Sequence, residues 1–178
     1  MTVLAEEWLV ILVIWLGLRH RGIPLSRLIG GRWQTRRDFF RDLGLAITFL
    51  VLTVPLVGFL AHLVGGNAAG SLANTPRTLP ELVIFLVLAI SGGFGEEVTF
   101  RGYLTRQLTT WTGSSVFGVI AQGVLFGLAH GYYGRVMVVI MLHGSFLGLL
   151  AHWRKSLRPG MIAHGVEDVI GGIAAFFS

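Results

Sequence analysis

Six long apolar stretches, separated by polar connectors, run the length of the chain. We predict helices over residues 1–18, 43–64, 80–108, 114–130, 136–153 and 157–177. The last five approach or exceed the length of about 20 residues with which a helix crosses the hydrocarbon core of a bilayer. The first is interrupted by Glu6 and Glu7, and its uninterrupted part, Trp8 to Leu18, is short for a full span. The pattern therefore predicts an all-α integral membrane bundle of about six transmembrane helices.

The composition agrees with a membrane protein. Of the 178 residues, 53% are hydrophobic and only 13% are charged, and the mean hydropathy of +0.73 is too high for an ordinary soluble domain. Cysteine is absent, which excludes disulfides, thiol nucleophiles and thiolate metal sites. The chemistry available to a site is therefore that of His, Asp and Glu.

The basic residues are concentrated in alternate connectors. Twelve of the fourteen Lys and Arg residues lie within residues 19–42, 101–110 and 154–158. This is the positive-inside pattern, so we expect these connectors to be cytoplasmic, with both termini outside if the first helix spans. No RNA or DNA motif accompanies the charge, which excludes nucleic acid as the expected partner. Membrane lipids, especially anionic headgroups, are the partners that the connectors predict.

The chain divides into three predicted parts. Residues 1–42 form an N-terminal hydrophobic helix and an arginine-rich connector, residues 43–81 a second helix and an external loop, and residues 82–178 a helical core. The first helix lacks the basic start and cleavage site of a secretory signal, so we expect it in the mature protein. Glycines at four-residue spacing on the fourth and fifth helices predict close helix packing. They are Gly123, Gly127, Gly131, Gly144 and Gly148.

Three charged residues lie within the third predicted helix, after the uncharged residues 82–90. A charge at the bilayer centre costs on the order of 3 kcal/mol or more, so such groups usually face a protected interior. Glu97 and Arg101 are four residues apart with the acid first, the favourable order for an ion pair. Glu96 points about 100° away and is left free for chemistry. The structural alternative is a paired charge near the membrane interface.

Two further pairs at four-residue spacing carry imidazoles. Phe126 and His130 share a face of the fourth helix, and His164 and Asp168 share a face of the sixth. At about 1.5 Å per residue, Glu96 and His130 lie roughly 20 and 25 Å from the connector between their helices, so their depths agree. His164 and Asp168 lie roughly 10 and 16 Å from their own connector, and we expect them to reach the same cavity from its cytoplasmic side. A lone buried His is more often a packing residue, the role expected for His62, His143 and His152.

Together these motifs resemble those of the CAAX prenyl protease type II and bacteriocin-processing family of intramembrane peptidases, also called CPBP or Abi. The matching motifs are Glu96-Glu97-xxx-Arg101, Phe126-xxx-His130 and His164-xxx-Asp168, the last preceded by a similar context, SLRPGMIAHG. The resemblance covers about Leu82 to Phe177 and has no counterpart in the first forty residues. It implies an all-helical bundle that hydrolyses peptide bonds at a site open to the cytoplasm, and we expect it in a prokaryotic cell membrane.

Amide hydrolysis within a membrane needs a base that deprotonates water and a donor that stabilises the oxyanion. We expect Glu96 to be the base and His130 to share its proton. His164, in a donor tautomer, is the expected oxyanion stabiliser, and Asp168 orients it or another group. The expected supporting residues are Glu97, Arg101 and Phe126.

Asp168 departs from the family pattern, in which Asn is common at this position. An ionised Asp accepts hydrogen bonds but cannot donate them, so a direct oxyanion role would need a protonated Asp168. A metal would also explain this residue, and a zinc ion would be held by Glu96, His130, His164 and Asp168. Because the chain lacks the HExxH arrangement, we expect catalysis without a metal.

The expected substrate is a hydrophobic or lipidated peptide or protein. Two other functions stay open at this point. A non-catalytic immunity or scaffold protein would keep the same fold and motifs. A proton-coupled transporter would also bury Glu, His and Asp, but six helices without repeats or paired broken helices fit a transporter poorly.

Overall fold

The structure, a computed structural model, describes residues 2–65 and 76–177. Within these residues every element is helical, which confirms the predicted fold class. The α-helices are α1 (Thr2–His20), α2 (Leu25–Ile29), α3 (Arg36–Leu63), α4 (Leu79–Glu96), α5 (Thr105–Thr112), α6 (Ser115–Ala129), α7 (Met137–Arg154) and α8 (Arg158–Phe176). A π-helix (Glu97–Leu104) joins α4 to α5, and a 3₁₀ segment (Gly131–Val136) joins α6 to α7. The predicted external loop falls mostly on residues 66–75, outside the described residues.

The bundle exposes large apolar side chains on its outer surface and buries several polar and charged ones, as expected for a protein surrounded by lipid. Among the described residues, three helical segments are long and apolar enough to cross a membrane, namely Arg36–Leu63, Leu79–Thr112 and Gly131–Arg154. Large apolar side chains such as Leu52 and Ile90 are exposed on the outer surface, whereas Glu97 and Gln122 are completely buried. This inversion of the usual soluble pattern identifies an integral membrane protein.

The arginine-rich connector is more ordered than the sequence predicts. It contains α2, and α3 begins at Arg36, seven residues before the predicted start at residue 43. A capping box explains the early start, because Thr35 accepts from the backbone N–H of Asp38 while Asp38 accepts from that of Thr35. The apolar pattern did not predict this start, because several arginines lie in the first turns of α3.

A buried carboxylate fastens the connector to the turn between α7 and α8. Asp42 is fully buried at the beginning of α3. It accepts from the indole of Trp33 at 2.9 Å and from Arg154 Nε at 3.0 Å, and Arg158 Nε lies 3.3 Å away. The backbone adds a bond from the Leu157 N–H to the Ile29 carbonyl at 2.9 Å. The arginine-rich connector therefore docks on the bundle.

An apolar layer lies beneath this docked connector. Its buried members come from α1, α2, the π-helix, α7 and the residue just before α8, namely Ile14, Leu28, Val98, Ala151 and Leu157. Further apolar side chains pack against them, including Leu18, Leu25, Ile29, Phe94 and Met161. We call these ten residues the apolar floor. It closes the bundle at the arginine-rich end.

Close helix contacts depend on glycine at a few positions. On α6, a Cβ added to Gly123 or Gly127 would lie 2.8 or 2.6 Å from a backbone carbonyl of α7, as the small-residue spacing predicts. Gly131 does not share this role, because no atom would lie within 4 Å of its Cβ. On α4, a Cβ at Gly93 would lie 2.6 Å from the backbone of Gly165 on α8. Backbone contact thus sets the separation of α4 and α8, the two helices that carry most of the site.

Gly93→Ala is expected to destabilise the protein by about 1–3 kcal/mol, because the added methyl group must push α4 and α8 apart. The matched control is Gly58→Ala on α3, where a Cβ meets no atom within 4 Å. The control should be neutral or stabilising, since Ala has the higher helix propensity. Thermal unfolding in detergent compares the two variants, and an equal response would contradict the close backbone contact.

Candidate active site

Glu96 lies between two imidazoles near the middle of the bundle. Its Oε1 is 3.9 Å from His130 Nε2, and its Oε2 is 3.6 Å from His164 Nε2. Asp168 Oδ2 is also 3.6 Å from His164 Nε2. The structure thus brings together the four residues that the motifs singled out. These separations exceed a direct hydrogen bond and suit groups that share a bridging water.

The change from α-helix to π-helix separates the roles of the two adjacent glutamates. Glu96 ends α4 and Glu97 begins the π-helix, an element that often occurs at functional sites. Glu96 remains partly exposed at the cavity, whereas Glu97 is fully buried. Glu97 Oε1 lies 3.0 Å from Arg101 Nη1, which is the predicted ion pair.

Glu97 also contacts His164, an interaction that the sequence did not predict. His164 Nδ1 lies 3.1 Å from Glu97 Oε1. Because the carboxylate paired with Arg101 can only accept, Nδ1 must carry a proton and donate it. In neutral His164 the Nε2 atom that faces Glu96 is therefore an acceptor. The expected oxyanion role consequently requires the imidazolium form, in which Nε2 also carries a proton.

His130 has the same proton arrangement with a different partner. It caps the end of α6, and its Nδ1 donates to the Phe126 carbonyl at 2.8 Å. This hydrogen bond explains the four-residue spacing of the motif, since the backbone one turn earlier fixes the imidazole. The Nε2 of His130 is then the ring atom that faces Glu96.

The Phe126 ring and the Arg101 guanidinium pack together behind the site. Arg101 lies 4.0 Å from the centroid of the Phe126 ring, and that ring packs edge-on against His164. Arg101 Nη2 and the amide of Gln122 both donate to the Gly144 carbonyl, at 3.5 and 2.9 Å. The buried cation therefore has a carboxylate, a carbonyl and an aromatic face as partners, which hold Glu97 against His164.

The side chains of the site line a cavity of about 790 Å³. Its titratable lining residues, apart from two tyrosines, are Glu7, Glu81, Glu96, His130, His143, His164, Glu167 and Asp168. The rest of the wall is largely apolar and includes Ile84, Phe85 and Leu88. Such a cavity suits an apolar segment that presents a polar group to the carboxylates and imidazoles.

The cavity extends toward the end of the bundle that is poor in arginine. Its lining includes Pro76 before α4, Glu81 in the first turn of α4, and Tyr132, Tyr133 and Val136 in the 3₁₀ segment. The described lining residues include none from the arginine-rich connectors, which lie beyond the apolar floor. The sequence predicts the opening and the arginine-rich connectors on the same side of the membrane. The described cavity lining lies away from those connectors, and the side on which the cavity opens stays a prediction.

Two polar groups line the cavity although the sequence did not predict them there. His143 was assigned to packing, yet its Nε2 lies 3.3 Å from Glu167 Oε2 and both residues line the cavity. Glu7 of α1 also lines it, and its Oε2 accepts from the Ser91 hydroxyl at 3.3 Å. For Glu7 the sequence contained a signal of a buried role, because this carboxylate interrupts the first apolar stretch. The pairing of His143 with Glu167 had none, because their spacing follows no helical repeat.

The residues present do not fit a zinc site. His130 and His164 face different oxygens of Glu96. Within the described part of the chain, no group of three or more His, Asp or Glu residues has an arrangement that could hold a metal ion. The chemistry below is therefore assigned to the side chains themselves.

Comparisons with known proteins match the region that forms this site. The family model described as type II CAAX prenyl endopeptidase Rce1-like matches residues 78–170. An uncharacterized protein of Bacillus subtilis (strain 168), YpbD, is 30% identical over 143 residues, which cover 78% of this chain and 70% of that protein. No solved protein structure matches the chain. The family match begins at the start of α4 and includes every motif residue named above.

Proposed function

Because the chain belongs to the Rce1-like family of type II CAAX prenyl endopeptidases, we propose that it is an intramembrane endopeptidase. Its substrate is a hydrophobic or lipidated polypeptide in a prokaryotic cell membrane. One observation carries the proposal: the Glu96 carboxylate lies between two Nε2 atoms in the wall of a cavity inside an apolar bundle. Buried acids and imidazoles that face a common cavity are typical of acid–base catalysis.

In the proposed reaction, Glu96 and His130 activate a water molecule. Glu96 removes one proton as the water oxygen bonds to the carbonyl carbon of the substrate. His130 Nε2 lies within reach of the same water and assists the transfer. When the carbon–nitrogen bond breaks, the proton passes to the departing amine. The net reaction adds one water across the peptide bond and returns Glu96 to its starting state.

His164 is the proposed donor to the oxyanion. In its imidazolium form, Nε2 donates toward the cavity while Nδ1 donates to Glu97. The carboxylates near the ring compensate the positive charge, and Arg101 pairs with Glu97 in the buried position. This arrangement resembles the general logic of a carboxylate that orients a catalytic imidazole. Asp168, an acceptor when ionised, helps to hold His164 and does not itself donate to the oxyanion.

His130→Ala and His164→Ala are each expected to lower cleavage by about 10²- to 10⁴-fold, because each variant removes a proton-transfer or donor group. The assay is a screen of membrane peptides incubated with the reconstituted protein, with products identified by mass spectrometry. His152→Ala is the control, because His152 is exposed near the end of α7. His143 cannot serve as a control, since it lines the cavity.

The screen also separates the peptidase from a binding protein with the same fold. The peptidase is supported if the wild type and His152→Ala cleave the peptides and His130→Ala and His164→Ala do not. Absence of cleavage by the wild type, or equal cleavage by all four proteins, would instead favour a non-catalytic immunity or scaffold role.

A further inference from the structure

The side of the membrane on which the cavity opens follows from the charge distribution and the packing together. Of the twelve Lys and Arg residues counted in the three connectors, Arg101 is buried within the bundle, which leaves eleven of the fourteen at one end. Arg77 and Arg135 alone lie at the other end. An excess of this size in short connectors is the usual mark of the cytoplasmic side.

The cavity reaches the surface at the opposite end. Two of its lining residues there, Glu81 and Tyr132, are exposed to the surroundings. Glu81 lies in the first turn of α4, and Tyr132 lies in the 3₁₀ segment that follows α6. Both segments lie at the end that carries Arg77 and Arg135. The mouth therefore lies where basic residues are scarce.

Packing closes the other route. The apolar floor packs α2 of the arginine-rich connector against the part of the bundle next to the Glu97–Arg101 pair, including Val98. The connector is held over it by Asp42 and by the backbone bond from Leu157 to Ile29. A cytoplasmic peptide would have to displace this buried layer to reach Glu96. An entry of that kind would expose apolar area and break a buried ion cluster.

We infer that the cavity opens on the extracytoplasmic side of the membrane and receives polypeptides presented from that side, after their export or membrane insertion. The substrate part of this inference rests on the proposed peptidase function, whereas the side of the opening does not. The relevant substrate class is an apolar segment of an exported or membrane-inserted chain, reached from its outer end.

The natural absence of cysteine allows a direct test with single-cysteine variants. Glu81→Cys and Tyr132→Cys report on the mouth, and Gln34→Cys and Thr112→Cys report on the arginine-rich end, where both residues are exposed. Intact bacterial cells that express each variant are treated with a membrane-impermeant maleimide, before and after permeabilisation. The mouth positions should be labelled fully in intact cells. The other two positions should be labelled only after permeabilisation.

The outcomes separate the inference from the proposed function, because labelling requires no catalysis. Labelling of positions 34 and 112 in intact cells, or equal labelling of both pairs, overturns the inferred side. All four purified variants must react in detergent, which verifies that each thiol is accessible in the folded protein. If the mouth faces outward but the bonds cleaved in the peptide screen lie in cytoplasmic segments, only the substrate class is overturned.

Discussion

Replacing Glu96 with Gln is expected to lower peptide cleavage by about 10²- to 10⁴-fold while the protein stays folded. Gln has nearly the same shape, so the packing at the end of α4 should survive. An amide cannot accept the proton of the water, however, and the base is lost. The measurement is the initial rate of peptide hydrolysis by protein reconstituted in lipid vesicles, with thermal unfolding in detergent as the test of folding.

Glu6→Gln is the matched control for this variant, since Glu6 is an exposed carboxylate on α1. Glu96→Asp adds a second comparison, because it keeps the acid but withdraws it by one methylene. It should retain more activity than Glu96→Gln and less than the wild type. A Glu96→Gln protein that cleaves at the wild-type rate would exclude Glu96 as the base, whatever the histidine variants do.

Replacing Arg101 with Met is expected to destabilise the protein by about 3–5 kcal/mol, because it leaves the Glu97 carboxylate buried without its cation. Both side chains of this pair are inaccessible to solvent, with Arg101 Nη1 at 3.0 Å from Glu97 Oε1. Activity should fall as well, since Glu97 orients His164 through the 3.1 Å contact with Nδ1. The free energy of unfolding in detergent and the rate of cleavage give the two readouts.

A double variant distinguishes stability from catalysis at this pair. Glu97→Met combined with Arg101→Met removes both charges, so its stability should lie above that of Arg101→Met alone. Its activity should remain low, because His164 has lost its partner. A double variant less stable than either single variant would show that the ion pair contributes more than charge compensation. Recovery of activity would remove Glu97 from the mechanism.

The helical repeat made much of this site predictable. Four-residue spacing placed Glu97 with Arg101, Phe126 with His130 and His164 with Asp168, because residues at that spacing share a helix face. The distances of Glu96 and His130 from the connector between their helices then predicted that the two residues lie at similar depth, and the structure places them close together. The long apolar stretches defined the six principal helices, since the need to satisfy backbone hydrogen bonds in lipid leaves few alternatives.

Contacts between different helices could not be predicted from spacing along a single helix. His164 and Glu97 are 67 residues apart, and His143 and Glu167 lie on different helices with no spacing rule to connect them. The π-helix over Glu97–Leu104 was likewise not predicted from the sequence. Distances along single helices give depth, but they do not show where apolar side chains close the bundle.

The apolar floor has a bearing on membrane energetics. Acids and imidazoles near the middle of a bilayer are the groups from which proton pumps build their conduction paths. Here the layer between those groups and the arginine-rich end consists of Ile, Leu, Val, Ala, Phe and Met side chains, none of which has a group that can accept or release a proton. This layer therefore offers no side chain that could relay a proton from the site to the arginine-rich end of the bundle.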